Sequence, residues 1–484
     1  MAGSRVIPIA AAQAVTGAEG ETVWLYEKQK KIYPRSVTGW FAKWRWAMVW
    51  ITQLVFYGLP WLTWNDRPAV LFELASRRFY IFGLVLHPQD FIYLTALLVI
   101  SALSLFLFTA VAGRLWCGFA CPQTVYTEIF LWVERHTEGD RIARMRLDAA
   151  PWSFDKLWRK GAKQGLWIAL SLWTGFTFVG YFTPIRALWA EAFTLGFGPW
   201  EWFWVLFYGF ATYGNAGYLR EQVCTYMCPY ARFQSAMFDR DTLIVSYDTQ
   251  RGDPRGSRKR TAEPSALGLG DCIDCKLCVQ VCPTGIDIRQ GLQYQCISCA
   301  ACVDVCDGVM DKMSYPRGLI RFATQNALIH RWSRAQSLRR VLRPRVLIYS
   351  GVLLLICGAF ITSMAMRSPF RVDVVRDRGA LARLVDNGAI ENVYRLQLMN
   401  ATESVQHYRV QAEGLDGARL GARSEFEVGP AQARWLPVSV QVPASTAQAL
   451  GPGAHPMRFR IEQLPSGGEP EVDVREKSTF VVPR

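Results

Sequence analysis

Histidine is scarce in this chain, five residues in 484, and His87, His136, His330, His407 and His455 all fall outside its apolar blocks. A haem held inside a helical bundle needs axial histidines from that bundle, so b-type haem is not expected. Acidic residues are also in deficit: 40 Asp and Glu against 54 Lys and Arg leave a formal net charge of +14. That surplus would suit a nucleic acid, but the cations lie mostly beside apolar blocks, where membrane orientation accounts for them. No nucleic-acid partner is expected. About forty N-terminal residues pass without a short apolar core and small-residue cleavage site, which argues against a secretory signal peptide and for a cytoplasmic N-terminus.

Apolar residues are abundant, 51% with 13% aromatic, and they gather in blocks of roughly twenty, the length a helix needs to cross hydrocarbon. The first runs from about Trp46 to Trp64 and the second from Phe91 to Gly113. They give an N-terminal tail over 1–45 and a first transmembrane hairpin over 46–113. Blocks at Leu166 to Tyr181 and Trp200 to Tyr218 form a second hairpin, 164–219, and Val346 to Met366 a fifth span over 346–366. Cytoplasmic flanks of membrane helices retain Lys and Arg. Lys28, Lys30, Lys31, Arg35, Lys43 and Arg45 precede the first span, and Arg135, Arg141, Arg144, Arg146, Lys156, Arg159, Lys160 and Lys163 crowd the loop 114–163. Both segments are expected inside, against the weaker opposing signal of Arg67, Arg77 and Arg78. Five spans then place residues 367–484 in the periplasm of a Gram-negative inner membrane.

That last region alternates polar and apolar residues over Val393 to Met399, His407 to Ala412, Trp435 to Val442 and Met457 to Leu464, with Gly, Pro and Asn between, as an immunoglobulin-type sandwich does. The expected fold class is a multi-domain membrane protein: about five transmembrane α-helices, a cytoplasmic bacterial-type dicluster ferredoxin module, and a C-terminal all-β immunoglobulin-like sandwich.

Thirteen cysteines are many, and twelve fall into short-spaced motifs that point to metal or redox chemistry. A flexible basic linker (251–270) and a basic connector (316–345) flank the ferredoxin module, 271–315. Within it Cys272, Cys275, Cys278 and Cys282, then Cys296, Cys299, Cys302 and Cys306, each spell C-x2-C-x2-C-x3-C. The two-residue gaps let three thiolates wrap one cubane while the fourth reaches the other. Cys272, Cys275, Cys278 and Cys306 are therefore assigned to one [4Fe-4S] cluster, and Cys282, Cys296, Cys299 and Cys302 to a second. Zinc also uses paired C-x2-C motifs, but the full eightfold spacing favours iron-sulfur. Pro283 follows Cys282 as the ferredoxin run expects, whereas Asp307 follows Cys306, a departure that removes no ligand. Disulfides do not suit a reducing cytoplasm.

Cys117-Gly118-Phe119-Ala120-Cys121-Pro122 and Cys224-Thr225-Tyr226-Met227-Cys228-Pro229 share the pattern C-x3-C-P, the second in a segment over 220–250. Each follows the second helix of a hairpin, so four thiolates can converge on the cytoplasmic face. Residues four apart share a helical face, and proline suits the start of a following helix. Small apolar packing is the alternative. Soft thiolates favour Cu(I), Fe-S or zinc, which leaves copper or a further cluster open. Cys357 lies alone in the fifth span and is assigned no role, and Met364 and Met366 are read as packing residues rather than copper ligands.

The order of hairpins, paired C-x3-C-P motifs, dicluster module, final span and sandwich resembles the FixG/CcoG/RdxA family of cbb3-type cytochrome c oxidase accessory proteins. Trp116 to Gln123, Cys224 to Tyr230 and the eight-cysteine run from Asp271 carry the resemblance, which covers essentially the whole chain. It implies a role in assembly or maturation of that oxidase by reducing Cu(II) to Cu(I), a cupric reductase. Its partners would be a cytoplasmic electron donor, copper ions or copper chaperones, and oxidase assembly factors. On that reading Cys117, Cys121, Cys224 and Cys228 are the copper-reducing or redox residues, and the eight ferredoxin cysteines relay electrons. The alternatives are a quinol-linked polyferredoxin feeding an anaerobic respiratory reductase, or a non-enzymatic oxidase assembly scaffold.

Overall fold

The computed structural model describes residues 31–377, 379, 382–385, 388–421, 423–464 and 472–483; residues 1–30 of the expected N-terminal tail lie outside these. Helices are labelled α1 (Trp40–Gly58), α2 (Phe91–Ala112), α3 (Leu115–Phe119), α4 (Pro122–Glu138), α5 (Phe154–Val179), α6 (Pro199–Thr212), α7 (Pro229–Met237), α8 (Ala301–Met313) and α9 (Pro344–Ala365). Among the described residues, two helices are long and apolar enough to cross a membrane, Pro88–Ala112 and Pro344–Ala365, and their apolar windows are 0% and 6% buried by protein. The core helix of a soluble protein would be covered. Here Leu94, Leu98, Leu354 and Leu355 face outward, an arrangement that lipid makes favourable. The two helices pack together, with the Tyr93 and Phe360 rings 6.0 Å apart.

The other three expected spans are less uniform. Lys43 and Arg45 lie within α1, the first half of α5 holds Asp155 to Lys163, and α6 has only 14 residues before the chain continues as a π-helical turn, Tyr213–Leu219. Each still exposes an apolar face: Trp50 and Leu54, Leu166 and Leu172, Phe203 and Phe210. Helices α5 and α6 approach closely at Gly175, where a Cβ would clash with the carbonyl oxygen of Val205. Small residues permit that backbone contact in the manner of membrane helix pairs.

Helix α1 begins six residues before the expected apolar block at Trp46. Its first N–H groups have no intrahelical acceptor, and the carboxylate of Asp304 accepts from the N–H of Phe41 (3.1 Å) and Ala42 (2.7 Å). Asp304 belongs to α8 of the ferredoxin region, so the cap joins that region to a helix distant in sequence. The supposed flexible linker 251–270 is also folded down. Arg251 pairs with Asp271 (2.5 Å), Arg258 donates to the Tyr315 hydroxyl (3.0 Å), and Gly270 touches the Gly252 backbone so closely that a side chain would not fit. Its arginines satisfy backbone and side-chain acceptors of the ferredoxin region, which fixes a segment that composition alone marks as loose.

The C-terminal region is a two-sheet sandwich. One sheet orders Arg419–Leu420, Ala433–Val442, Ile390–Asn400 and Phe370–Arg376, with Arg383–Leu384 also on Ile390–Asn400; the other orders Glu425–Val428, Gln406–Glu413, Gly453–Gln463 and Asp473–Val482. Alternate residues Tyr394, Leu396 and Leu398 meet Tyr408, Val410, Phe459 and Ile461 in one buried core, as period-two strands with one apolar face require. A small antiparallel sheet, Val70–Glu73, Arg78–Ile81 and Leu84–Leu86, fills the first hairpin's connection, which the sequence reading left without structure. Its Leu71, Tyr80 and Val85 pack with Ala431 of the sandwich. Nearby, buried Asp90 pairs with Arg367 (2.6 Å) and Arg371 (2.7 Å), clamping the start of α2 to the chain that leaves α9.

Candidate iron-sulfur and thiolate centres

In the ferredoxin region the two cysteine runs repeat one backbone design. Asp274 and Ser298, at equivalent positions, have φ of 51° and 55°, and Lys276 and Ala300 have 57° and 58°. Left-handed conformations are costly for residues with a Cβ, and their recurrence between cysteines turns successive N–H groups to one side. Such nests suit anions, including iron-sulfur sites. One cavity is lined by Cys272, Cys275, Cys278 and Cys306. Its counterpart is lined by Cys282, Cys296, Cys299 and Cys302, with Cys278 at its edge.

The electrostatics of these cavities fit an iron cluster. Burial pushes the Cys278 thiol up to about 11 and those of Cys296 and Cys306 up to about 12, and it raises Cys299 and Cys302 as well. Buried thiolates on this scale need positive charge beside them. Three guanidiniums lie close by: Arg289 favours the thiolate of Cys278, Arg45 that of Cys299, and Arg114 that of Cys296. All three are less than a tenth exposed.

The second cysteine set repeats too. Cys121 and Cys228 each stand at the N-cap of a helix, α4 and α7, with Pro122 and Pro229 at the first helical position. Proline loses nothing there, since that N–H has no intrahelical acceptor. Cys117 lies on α3 and Cys224 in a π-helical turn, Val223–Met227. Charge on Cys121 or Cys224 would oppose charge on Cys117, and Cys224 and Cys228 oppose Cys121 and each other. The fold thus brings both motifs to one place. Burial pushes Cys117 up to about 12 and Cys224 up to about 11. At Cys121 burial again raises the thiol, against hydrogen bonds from the N–H groups of Gln123 and Thr124. The Cys117 thiol donates to Oε1 of fully buried Gln234 (3.4 Å). Among the described residues no three His, Cys, Asp or Glu side chains converge as ligands of a single ion.

The first C-x3-C-P motif touches the second ferredoxin run through its backbone. A Cβ on Gly118, inside the first C-x3-C-P motif, would lie 2.7 Å from the carbonyl oxygen of Ile297 and 2.8 Å from Cα of Cys299. Glycine is required for that approach. Arg45 donates to the Cys299 carbonyl (2.8 Å). Arg114 donates to the carbonyls of Tyr294 and Cys296 and, through its other nitrogen, to that of Ala231 beyond the second motif. Sequence reasoning missed Arg45, Arg114, Gly118, Gln234 and Asp304. The one available signal was Arg114, a cation between an apolar block and a cysteine motif. Cys357 stays on α9, partly buried, and Met366 is 80% exposed rather than packed.

Residues 219–325 match a family described as a 4Fe-4S dicluster domain, and residues 94–138 a 4Fe-4S binding domain. Residues 360–483 match the IG-like fold at the C-terminus of FixG. The chain is 38% identical over 459 residues to the nitrogen fixation protein FixG of Rhizobium meliloti, covering 87% of this chain and 88% of that protein. The chain belongs to the FixG/RdxA family. RdxB of Cereibacter sphaeroides is 40% identical over 404 residues, 82% of this chain and 84% of RdxB, and RdxA of that organism is 38% identical over 403 residues, 82% and 85%. As a FixG-family member with dicluster and 4Fe-4S binding domains, the chain is a membrane-associated iron-sulfur protein of the electron-transfer class.

Proposed function

We propose that this FixG-family chain reduces Cu(II) to Cu(I) during maturation of a cbb3-type oxidase, taking electrons from a cytoplasmic donor. The observation that carries this reading is the backbone contact of Gly118, inside the first C-x3-C-P motif, with Ile297 and Cys299 of the second ferredoxin run. Cys272, Cys275, Cys278 and Cys306 would hold one cluster, and Cys282, Cys296, Cys299 and Cys302 the other. A bound [4Fe-4S] cluster supplies one-electron transfer at a potential set by nearby charge, hydrogen bonds and solvent access. Cys117, Cys121, Cys224 and Cys228 receive copper, the substrate. Each Cu(II) takes one electron, and soft thiolates favour the Cu(I) product. No general acid or base is involved.

In this proposal α1, α2, α5, α6 and α9 all span the inner membrane, with the ferredoxin module cytoplasmic and the sandwich periplasmic. The exposed apolar faces of all five helices support it. The test is anaerobic Cu(II) reduction by purified, dithionite-reduced and desalted protein. The comparison is wild type against Cys117→Ser/Cys121→Ser/Cys224→Ser/Cys228→Ser, with ferredoxin clusters followed by electron paramagnetic resonance. Lost copper reduction with both ferredoxin clusters intact is expected. Equal reduction by both proteins would remove these thiols from the reaction.

A further inference from the structure

Of the eight ferredoxin cysteines, Cys275 alone is exposed. It lines the cavity shared with Cys272, Cys278 and Cys306. The C-x3-C-P contact is made at the other cavity, where Gly118 meets Ile297 and Cys299. One of the two cysteine cavities therefore borders the proposed copper site, and the other has a ligand position open to water.

The basic segment 251–270 is tied to that open cavity. The Gly256 N–H (3.3 Å) and the Arg258 guanidinium (3.4 Å) both donate to the Cys272 carbonyl. Arg258 also lies over the Tyr315 ring at 5.3 Å, and Arg260 donates to the Ser314 hydroxyl (3.0 Å), just past the end of α8. A charge run that served solvation alone would need no such anchoring. The result is a rim of exposed cations: Lys259 and Arg260 on the segment, Lys276 next to Cys275, and Lys312 in the last turn of α8. Among the described residues these four join no ion pair. The nearby acids are engaged already, Asp253 by Arg255, Asp271 by Arg251, Asp274 by Arg289 and Asp311 by Arg317, which leaves Glu263 as the exposed acid of the segment outside a pair. Like charges gathered on one surface repel, and a partner of opposite sign relieves that repulsion.

We propose that this rim docks a small acidic one-electron carrier protein with an iron-sulfur centre of its own, and that electrons enter at the Cys275 end. The proposal rests on the function proposed above, whose cytoplasmic donor it names by class. In each encounter the reduced carrier is oxidised by one electron and the centre held by Cys272, Cys275, Cys278 and Cys306 is reduced by one; no bond is made or broken and no proton moves. Electron-transfer encounters use small contact areas, below about 1,200 Å², and complementary charge sets their association rate more than their final affinity. The same cations repel Cu(II), so metal and electron have separate entrances.

The test uses the full chain with its clusters, in nanodiscs of zwitterionic lipid, and an acidic bacterial [2Fe-2S] ferredoxin as the probe. Binding is read by surface plasmon resonance, and electron entry by anaerobic stopped-flow mixing with the reduced probe, both over a range of salt. Wild type should bind the probe and be reduced by it, with an association rate that falls about tenfold or more between low and physiological salt. Lys259→Glu/Arg260→Glu/Lys276→Glu should slow association about tenfold or more at low salt and flatten the salt response. These side chains are exposed, so iron content and full reduction by excess dithionite should match wild type. Equal binding and equal salt dependence in the two proteins, or no binding of the probe to wild type at low salt, would overturn the proposal. Copper reduction by the dithionite-reduced wild type is measured in parallel; its failure would defeat the copper reading and leave the docking result standing.

Discussion

Arg114 is a guanidinium at 2% exposure, held there because its two terminal nitrogens donate to carbonyls of both thiol segments. Arginine delivers several donors in a fixed plane, a geometry lysine lacks. Arg114→Gln should have two separable effects. It leaves buried carbonyls short of donors, at a cost of about 1–3 kcal/mol each, and it withdraws positive charge from beside Cys117, Cys224 and Cys296. Reduction adds negative charge, so loss of the cation should lower the midpoint potential of the centre held by Cys296. A redox titration followed by electron paramagnetic resonance measures this, and an unchanged potential in a stable variant would confine Arg114 to a docking role. The eight ferredoxin cysteines were readable from sequence because their spacing is local. Arg114 was not, because its partners lie 117 to 182 positions away.

Among the elements, α4 is held by a buried ion network. Glu134 pairs with Arg144 (2.5 Å) and with Arg220 (2.7 Å), at the start of the second motif segment. Burial alone would raise its carboxyl, but Arg220 and Arg144 outweigh burial and hold it below the usual carboxylate range. The folded value is depressed, so this group's stabilisation is complete above its unfolded pKa and is lost as pH falls through the folded one. Thermal unfolding should be insensitive to this group near neutrality and weaken in acid. Glu134→Gln should cost about 3–5 kcal/mol near neutrality by stranding buried charge, with a flatter acid decline, measurable by tryptophan fluorescence in detergent. Element limits were only partly legible. The first helix starts early because Asp304 caps it, and the three-stranded sheet between α1 and α2 escaped notice because its strands have three or four residues each.

At the scale of the whole molecule, two features join regions that the sequence presents as separate. Asp90 ties α2 to the entrance of the sandwich, and Gly118 seats the first C-x3-C-P motif on the ferredoxin region. The order of modules was legible because each has its own periodicity or cysteine spacing, whereas their docking depends on single long-range contacts with no local pattern. The proposed topology makes a direct prediction: protease added to intact spheroplasts should remove the sandwich and spare the ferredoxin module. Digestion of the ferredoxin module under the same conditions would reverse the orientation.

Gly118→Val tests the central contact most directly, since its side chain would meet backbone atoms at Ile297 and Cys299. The measurement is the anaerobic rate at which Cu(II) reoxidises the dithionite-reduced protein, at matched iron content. Electron transfer across that contact predicts slowing on the order of 10–100-fold, the scale of an ångström-sized misplacement of reacting groups. A rate equal to wild type, with the valine in place and both ferredoxin clusters present, would contradict it.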